Sequence, residues 1–258
     1  MALTPQTMRL TTLADVPEIH PGDSLAAVLL TALEQNRIAL ADGDVVAVCQ
    51  KIVSKAEDRF VELDTVAPGS RAVELAQVCN KDPRFVEVVL RQSSQVVRCA
   101  KDVLIVRHRL GFVVANAGVD QSNIANAGSR VLLLPEDPDR SAVLLRDAIA
   151  ARLGVRVGVL ITDSFGRAWR LGVCGTCIGC AGLVPLVDAR GRPDRFGRPL
   201  RVTQIAVADA IAAAAALAMG EADEGRPIVV VSGVASEFLA DGAPATHLVR
   251  PAEADLFL

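Results

Sequence analysis

The 258-residue sequence has no tyrosine, one tryptophan and seven phenylalanines, so aromatic side chains make up only 3% of it. A surface that stacks successive bases needs more aromatic faces than this. Positive charge is not in excess either. Lysine and arginine total 27 against 30 aspartates and glutamates, a net charge of -3, which removes the broad basic footprint of a nucleic-acid binder. No apolar run reaches membrane-spanning length, and the longest alanine-rich stretch, Ile205 to Met219, is interrupted by Asp209. The first residues lack a basic segment followed by an apolar one, so no secretory signal is expected. There are three histidines, and none has a neighbouring serine or cysteine with the logic of a catalytic triad. Two glycine signatures for phosphate are also missing: no G-x-x-x-x-G-K-[ST] occurs, and no G-x-G-x-x-G follows a strand. Phosphate recognition here would have to rest on metals and side chains.

What is present is a chain that is 51% hydrophobic, enough to bury a sizeable core as one large domain or two small ones. Six cysteines at uneven spacing fit reduced thiols in the cytoplasm better than a disulfide framework. After a loose leader over residues 1–8, a strand is expected from Leu10 to Val16. A helix follows over Leu25 to Gln35, capped by Asp23 or Ser24, and then a strand over Val45 to Cys49. Helices are read over Arg71 to Val78 and from Lys81-Asp-Pro-Arg84 to Arg91, with Pro83 in the first turn where its missing amide does no harm. A hairpin joins Val103–Arg107 to Gly111–Ala115, and Pro135 stops a strand over Val131 to Leu134. A helix over Ser141 to Leu153, capped by Asp139 or Ser141, leads to a strand over Arg156 to Ile161. Residues 171–200, rich in glycine and proline, read as short strands and long loops, the best place for a smaller lobe. A long helix over Thr203 to Met219 and a buried strand over Pro227 to Val231 precede a tail of loop and short helix.

Three apolar strands end in chemistry-bearing side chains: Gln50, Lys51 and Lys55; Asn116, Asp120 and Asn123; and Asp163, Ser164, Arg167 and Arg170. Glu221, Asp223 and Glu224 stand at a helix end. If the strands share a sheet and an end, these groups converge. A carboxylate with a hydroxyl suits Mg²⁺ or Mn²⁺, and arginine or lysine suits phosphate. The plainer reading of the 161–170 stretch is a loop with an aspartate cap and solvated arginines. Trp169 reads as a packing anchor rather than a stacking platform. His20 is the most interesting histidine because it follows a strand.

Cys174, Cys177 and Cys180 form a C-x-x-C-x-x-C run whose spacing suits zinc or an iron–sulfur cluster, with Cys99 or His108 as a distant fourth ligand. The alternative is that small, soft side chains pack between glycines in a tight segment.

Six stretches together resemble the coenzyme F420-0:L-glutamate ligase family. They are V-C-Q-K-I-V-S-K-A-E at 48–57, K-D-P-R at 81–84, A-N-A-G-V-D-Q-S-N at 115–123, I-T-D-S-F-G-R-A-W-R at 161–170, M-G-E-A-D-E-G at 219–225 and L-V-R-P-A-E-A-D-L-F at 248–257. The order of several motifs makes the resemblance specific, and it covers nearly the whole chain from residue 9. It implies a single domain over 1–258 with an unusual α/β fold of mixed sheets and an intertwined homodimer. With the sequence ending at 258, the nitroreductase-like C-terminal extension of some relatives is not expected. The implied reaction is GTP-dependent: glutamate is joined to the carboxylate of F420-0, and GDP and phosphate are released. The implied cofactors are two divalent cations, Mg²⁺ or Mn²⁺, with a monovalent cation as a further member. Carried over by motif, Asp120 and Asp163 would hold one divalent cation, and Ser164 and Glu221 the other. GTP would lie against Pro17, Glu18, Ile19, His20, Gln50, Lys51, Lys55, Asn123 and the run Met219, Gly220, Glu221, Ala222, Asp223, Glu224, Gly225, Arg226. Beyond the resemblance, Arg167 and Arg170 are read as catalytic groups that steady the transferred phosphoryl.

The sequence departs from the family pattern at the cysteine run 174–180, at Ala210 where many relatives carry an acid, and at Gln92 where glutamate is expected. Two rival readings remain: a metal-dependent nucleotide or phosphate hydrolase that uses the same acids, and a cysteine–metal protein built on the 174–180 run.

Overall fold

The computed structural model describes residues 6–125, 128–240 and 242–255. Part of the expected leader, and Leu256 and Phe257 at the end of the last motif, lie outside the described residues. In chain order the elements are β1 (Arg9–Thr12), α1 (Leu25–Gln35), β2 (Val45–Cys49), α2 (Gln50–Ala56), β3 (Phe60–Glu62), α3 (Ser70–Cys79), α4 (Pro83–Arg91), β4 (Ser93–Ala100), β5 (Val103–His108) and β6 (Val113–Ala115). They continue with β7 (Arg130–Leu132), α5 (Pro138–Leu153), β8 (Gly158–Arg167), β9 (Arg170–Ala181), β10 (Leu186–Asp188), β11 (Gln204–Ala206), α6 (Val207–Met219) and β12 (Ile228–Ser232).

The central sheet runs β1-β12-β2-β8-β9. Only the β2–β8 pair is parallel. Its strands are apolar on both faces because both faces are covered. Val46, Val48, Val159, Ile161 and Val230 pack with Leu29 and Leu33 of α1 and Leu145 and Ile149 of α5. The alternate residues Val45, Ala47, Leu160, Val229 and Val231 pack with Ile211, Ala212 and Ala215 of α6. The result is a mixed α/β fold of three layers. A third hydrophobic cluster, from Leu63 to Leu133, unites α3 and α4 with β5 and the strand β7.

Ser24 caps α1 by accepting from the Ala27 amide, and Asp82 caps α4 ahead of Pro83. The cap of α5 differs from expectation. Asp137 accepts from the Arg140 amide, and the helix begins at Pro138. Asp139 instead reaches out to accept from the amides of Cys180 and Ala245, tying β9 and the tail to the helix. Ser141 bonds Glu57. The expected strand from Leu10 is four residues, β1, and the long C-terminal helix begins at Val207 after the short strand β11.

The largest departure is at 161–181. Asp163 and Ser164 do not end a strand. β8 continues through them to Arg167, turns, and returns as the twelve-residue β9, paired from Val159↔Ala181 to Arg167↔Arg170 with register shifts between Ile161 and Thr162 and between Gly166 and Arg167. The glycines of the cysteine run explain why. A Cβ on Gly175 would stand 2.4 Å from the Ala212 carbonyl oxygen of α6, and one on Gly179 would stand 2.3 Å from the carbonyl carbon of Pro138 in α5. Only glycine lets the strand lie this close to both helices.

Candidate active site

The parallel pair β2–β8 brings two of the sequence's polar stretches together at one end of the paired strands. Immediately after β2 the chain turns into α2, and Lys51 and Lys55, four residues apart, share one face of that helix. Lys55 pairs with Glu18, which anchors the 16–19 segment beside the helix. Lys51 pairs with Asp120 at 2.8 Å and donates to the Ser122 hydroxyl at 2.6 Å. Asp120 arrives on a strained segment: Asn116 and Ala117 both adopt left-handed backbone angles (φ 53 and 55), a conformation that L residues rarely hold. The Asp120 carboxylate also accepts from the Ser122 amide at 2.7 Å, which fixes its direction. From α6, the residues after Met219 close the other side. There the Ser164 hydroxyl donates to Glu221 at 2.7 Å, and the Asn123 amide donates to the Ala222 carbonyl at 2.9 Å.

These groups line one cleft of about 560 Å³. Its electrostatics are strained in one place. Burial pushes the Asp163 carboxyl up to about 7, against the hydrogen bond from the Ser164 amide, and the charges of Asp120 and Glu221 push the same way. Burial would raise Asp120 as well, but Lys51 and the Ser122 amide outweigh it and hold that carboxylate below its usual range. Cys49, at the end of β2, has its thiol raised to about 11, chiefly by burial, so it is no thiolate nucleophile at neutral pH.

Among the described residues, no three His, Cys, Asp or Glu side chains stand close enough to form a ready-made cage for a metal ion. The donors around the cleft are nevertheless oxygens, carboxylates and a hydroxyl, the set that suits a hard divalent cation held jointly with phosphate and water. The buried Asp163 carboxyl feels the charges of Asp120, which Lys51 pairs, and of Glu221, and it resists ionisation. A cation relieves that repulsion, so the residues fit the metals implied by the sequence.

Of the residues read from sequence, Pro17, Glu18, Ile19, Lys51, Lys55, Asp120, Asn123, Asp163, Ser164 and the run Met219 to Arg226 line the cleft. Gln50 does not: it is buried and accepts from the Ser54 hydroxyl at 2.9 Å. His20 is exposed and outside the lining, its amide bonded to Asp23. Arg167 and Arg170 are not brought to the cleft either. They face each other across the turn of the β8–β9 hairpin, exposed, with Arg167 donating to the Leu171 carbonyl at 3.0 Å. The spacing that suggests one shared anion instead sets them opposite each other, because β8 runs on to Arg167. Trp169, expected as a packing anchor, is 86% exposed at that same turn.

Thr162 and Ser122 are members of the cleft that the sequence reading passed over. Thr162 carries a buried hydroxyl with no hydrogen-bond partner, one residue before Asp163. Ser122 was visible inside V-D-Q-S-N, where an aspartate followed two residues later by serine marks a side-chain-to-backbone turn.

Among the described residues the cysteine run gathers no group of three metal ligands. Cys177 and Cys180 are buried in the core beneath α6, packed as the small side chains between glycines require. Cys99 lies elsewhere, against the Leu75 carbonyl, and His108 is buried and stacked on Phe112.

A sequence model of the family described as F420-0:Gamma-glutamyl ligase matches residues 14–233. A protein of Methanopyrus kandleri named coenzyme F420:L-glutamate ligase is 44% identical over 242 residues, covering 93% of each chain. The protein of the same name from Methanothermobacter thermautotrophicus is 39% identical over 242 residues, 94% of this chain and 95% of its own. That of Archaeoglobus fulgidus is 43% identical over 219 residues, 85% of each. With a family match across most of its length, full-length relatives at this identity and an acid-rich cleft built from the shared motifs, the chain belongs to the F420-0:gamma-glutamyl ligase family, a family of ligases.

Proposed function

We propose that the protein is a GTP-dependent ligase that joins L-glutamate to coenzyme F420-0 and acts as a cytoplasmic homodimer. The single observation that carries the reading is the cleft in which Asp120, Asp163, Ser164 and Glu221 face Lys51 and Lys55. A carboxylate is a poor acylating agent, so the reaction needs activation. A carboxylate oxygen of F420-0 attacks the γ-phosphorus of GTP, the bond to the bridging oxygen breaks, and GDP leaves. The glutamate amine, having lost a proton, attacks the acyl carbon of the resulting acyl phosphate. An amide forms and inorganic phosphate departs.

Asp120 and Asp163 would hold one divalent cation and Ser164 and Glu221 the other. Bound there, Mg²⁺ or Mn²⁺ neutralises the triphosphate and the charge that develops on transfer. Lys51 and Lys55, on one face of α2, supply positive charge beside the phosphates without a glycine cradle. Asn123, through the Ala222 carbonyl, holds the 219–226 segment against the nucleotide side of the cleft. The low-dielectric floor around Asp163 strengthens each of these interactions relative to water.

Incubating the full chain with GTP, Mg²⁺ or Mn²⁺, L-glutamate and F420-0 should add the mass of glutamate to the coenzyme and release phosphate only when both acceptors are present. No product with any nucleoside triphosphate would defeat the reading. GTP hydrolysis at full rate without F420-0 and glutamate would replace it with a metal-dependent hydrolase.

A further inference from the structure

A second cavity, of about 220 Å³, lies apart from the cleft, on the outer edge of β9. Its walls come from three places: Arg107 of β5, Asp209 at the start of α6, and Thr246 and Arg250 of the tail, with Phe165 and Thr176 of the hairpin as floor. The family reading assigns none of Arg107, Asp209 or Arg250 a task.

Three features mark it as a ligand site. Arg107 is held in place, donating to the Gly111 carbonyl at 3.2 Å and to Asp255 at 3.1 Å, yet its Nε–H is buried without a partner. A guanidinium donor left unmatched inside a protein is costly unless something supplies an acceptor. Charge is also mixed. Two arginines and two aspartates line so small a space, and Asp255 is engaged by Arg107, which leaves Asp209 as the second acid. Asp209 is fixed by accepting from the Cys177 amide at 2.9 Å.

The third feature is position. Thr176, in the cavity, is the Cα partner of Asp163, in the cleft. Directly paired residues of an antiparallel ladder stand roughly 5 Å apart and project from the same face. The two spaces therefore meet across one strand spacing of the β8–β9 hairpin.

A cavity this small does not admit a tricyclic cofactor with its tail, since pockets for larger ligands run to roughly 300–1,000 Å³. Two guanidinium groups and one free-facing acid instead match a small amino acid with two carboxylates and one ammonium. We propose that this cavity seats the L-glutamate acceptor, its carboxylates on Arg107 and Arg250 and its ammonium on Asp209, next to the cleft where the acyl phosphate forms. This assignment rests on the ligase reading and adds to it the amino-acid subsite.

The test is steady-state kinetics of the full chain with GTP, F420-0 and Mg²⁺, comparing wild type with Arg250→Gln and Arg107→Lys. Arg250 is exposed, so its variant keeps the fold; Arg107→Lys retains charge but loses the fork. Each should raise the KM for glutamate by about tenfold or more, the consequence of losing one charge-assisted hydrogen bond, while the KM values for GTP and F420-0 stay within about twofold. An unchanged KM for glutamate in Arg250→Gln, with wild-type turnover, overturns the subsite and leaves the ligase reading standing. If the wild type makes no glutamylated product at all, the ligase reading fails and calorimetry decides the cavity separately. Glutamate titrated into the wild type with a non-hydrolysable GTP analogue should give heat that Arg250→Gln loses, and no heat in the wild type removes the site as well.

Discussion

Asp163 is asked to do two things that conflict. Burial and the facing carboxylates of Asp120 and Glu221 raise it to about 7, so in the metal-free protein its charge is a burden on the fold. The same charge is what a cation in the cleft needs. Asp163→Asn should therefore lower kcat/KM by about a hundredfold or more, while the metal-free variant unfolds at higher denaturant than wild type at pH 8. Because the folded carboxyl holds its proton at higher pH than the unfolded one, that stability gap should open as pH rises from about 4 to 7 and shrink below it. A variant less stable than wild type at pH 8 would show that Asp163 is structural. His108 makes the opposite demand. Burial, then the charges of Arg109 and Arg59, lower it to about 4, and its Nδ1 accepts from the Leu110 amide. The unfolded chain binds this proton near pH 6.5 and the folded chain only near 4, so stability is intact above about 6.5 and falls as pH drops through that window. Denaturant melts of His108→Gln against wild type from pH 7 to 4 should show the variant losing up to about 3 kcal/mol less; parallel curves would assign the acid sensitivity to other groups.

The β8–β9 hairpin is the element that the fold most depends on, and glycine is what admits it between two helices. Gly175→Ala would push a methyl into the Ala212 carbonyl and the Ala216 side chain, and it should destabilise the protein by about 1–3 kcal/mol or more, read as a lowered denaturation midpoint. Gly166→Ala, with nothing within 4 Å of its Cβ position, should be tolerated and serves as the control. The hairpin also shows why the sequence was only half legible. Helices with caps, α1 and α4, were readable because Ser24 and Asp82-Pro83 carry their own local signal. β9 was not, because its glycines have low intrinsic β preference and its place is set by contacts to α5 and α6, which are distant in sequence. The helix α2 was missed for a related reason: its seven residues follow β2 with no turn, so Gln50 to Lys55 read as the polar end of a strand. The carboxylates and Lys51 and Lys55 still meet in one cleft, because a side chain keeps its chemistry whichever element carries it. Arg167 and Arg170 lie outside it, because β8 runs on to Arg167 and carries both to the hairpin turn.

At the far end of the same hairpin, apolar side chains meet solvent: Leu171 is 97% exposed, Trp169 86% and Val173 52%, with Leu217 of α6 at 89%. Scattered exposed apolar groups are ordinary, but three within five residues on an arm that leaves the sheet form a patch of the kind that protein surfaces use for association. The homodimer proposed above gives that arm its cover: the hairpin of each copy would bury its tip on the other, and the isologous contact would use the same residues twice. The cleft reaches the hairpin at Asp163, Ser164 and Val173, so an arm fixed by a second copy would also steady the strand that carries the acids. Light scattering on wild type should return twice the chain mass at micromolar concentration. Leu171→Glu places a charge where apolar contact is needed and should shift the equilibrium toward monomer, with the fold intact because the side chain touches no core. If the arm steadies the acids, turnover per chain falls in the monomer and recovers as protein concentration rises. A wild type that is monomeric, or a Leu171→Glu variant that remains fully dimeric, would remove the arm from the interface.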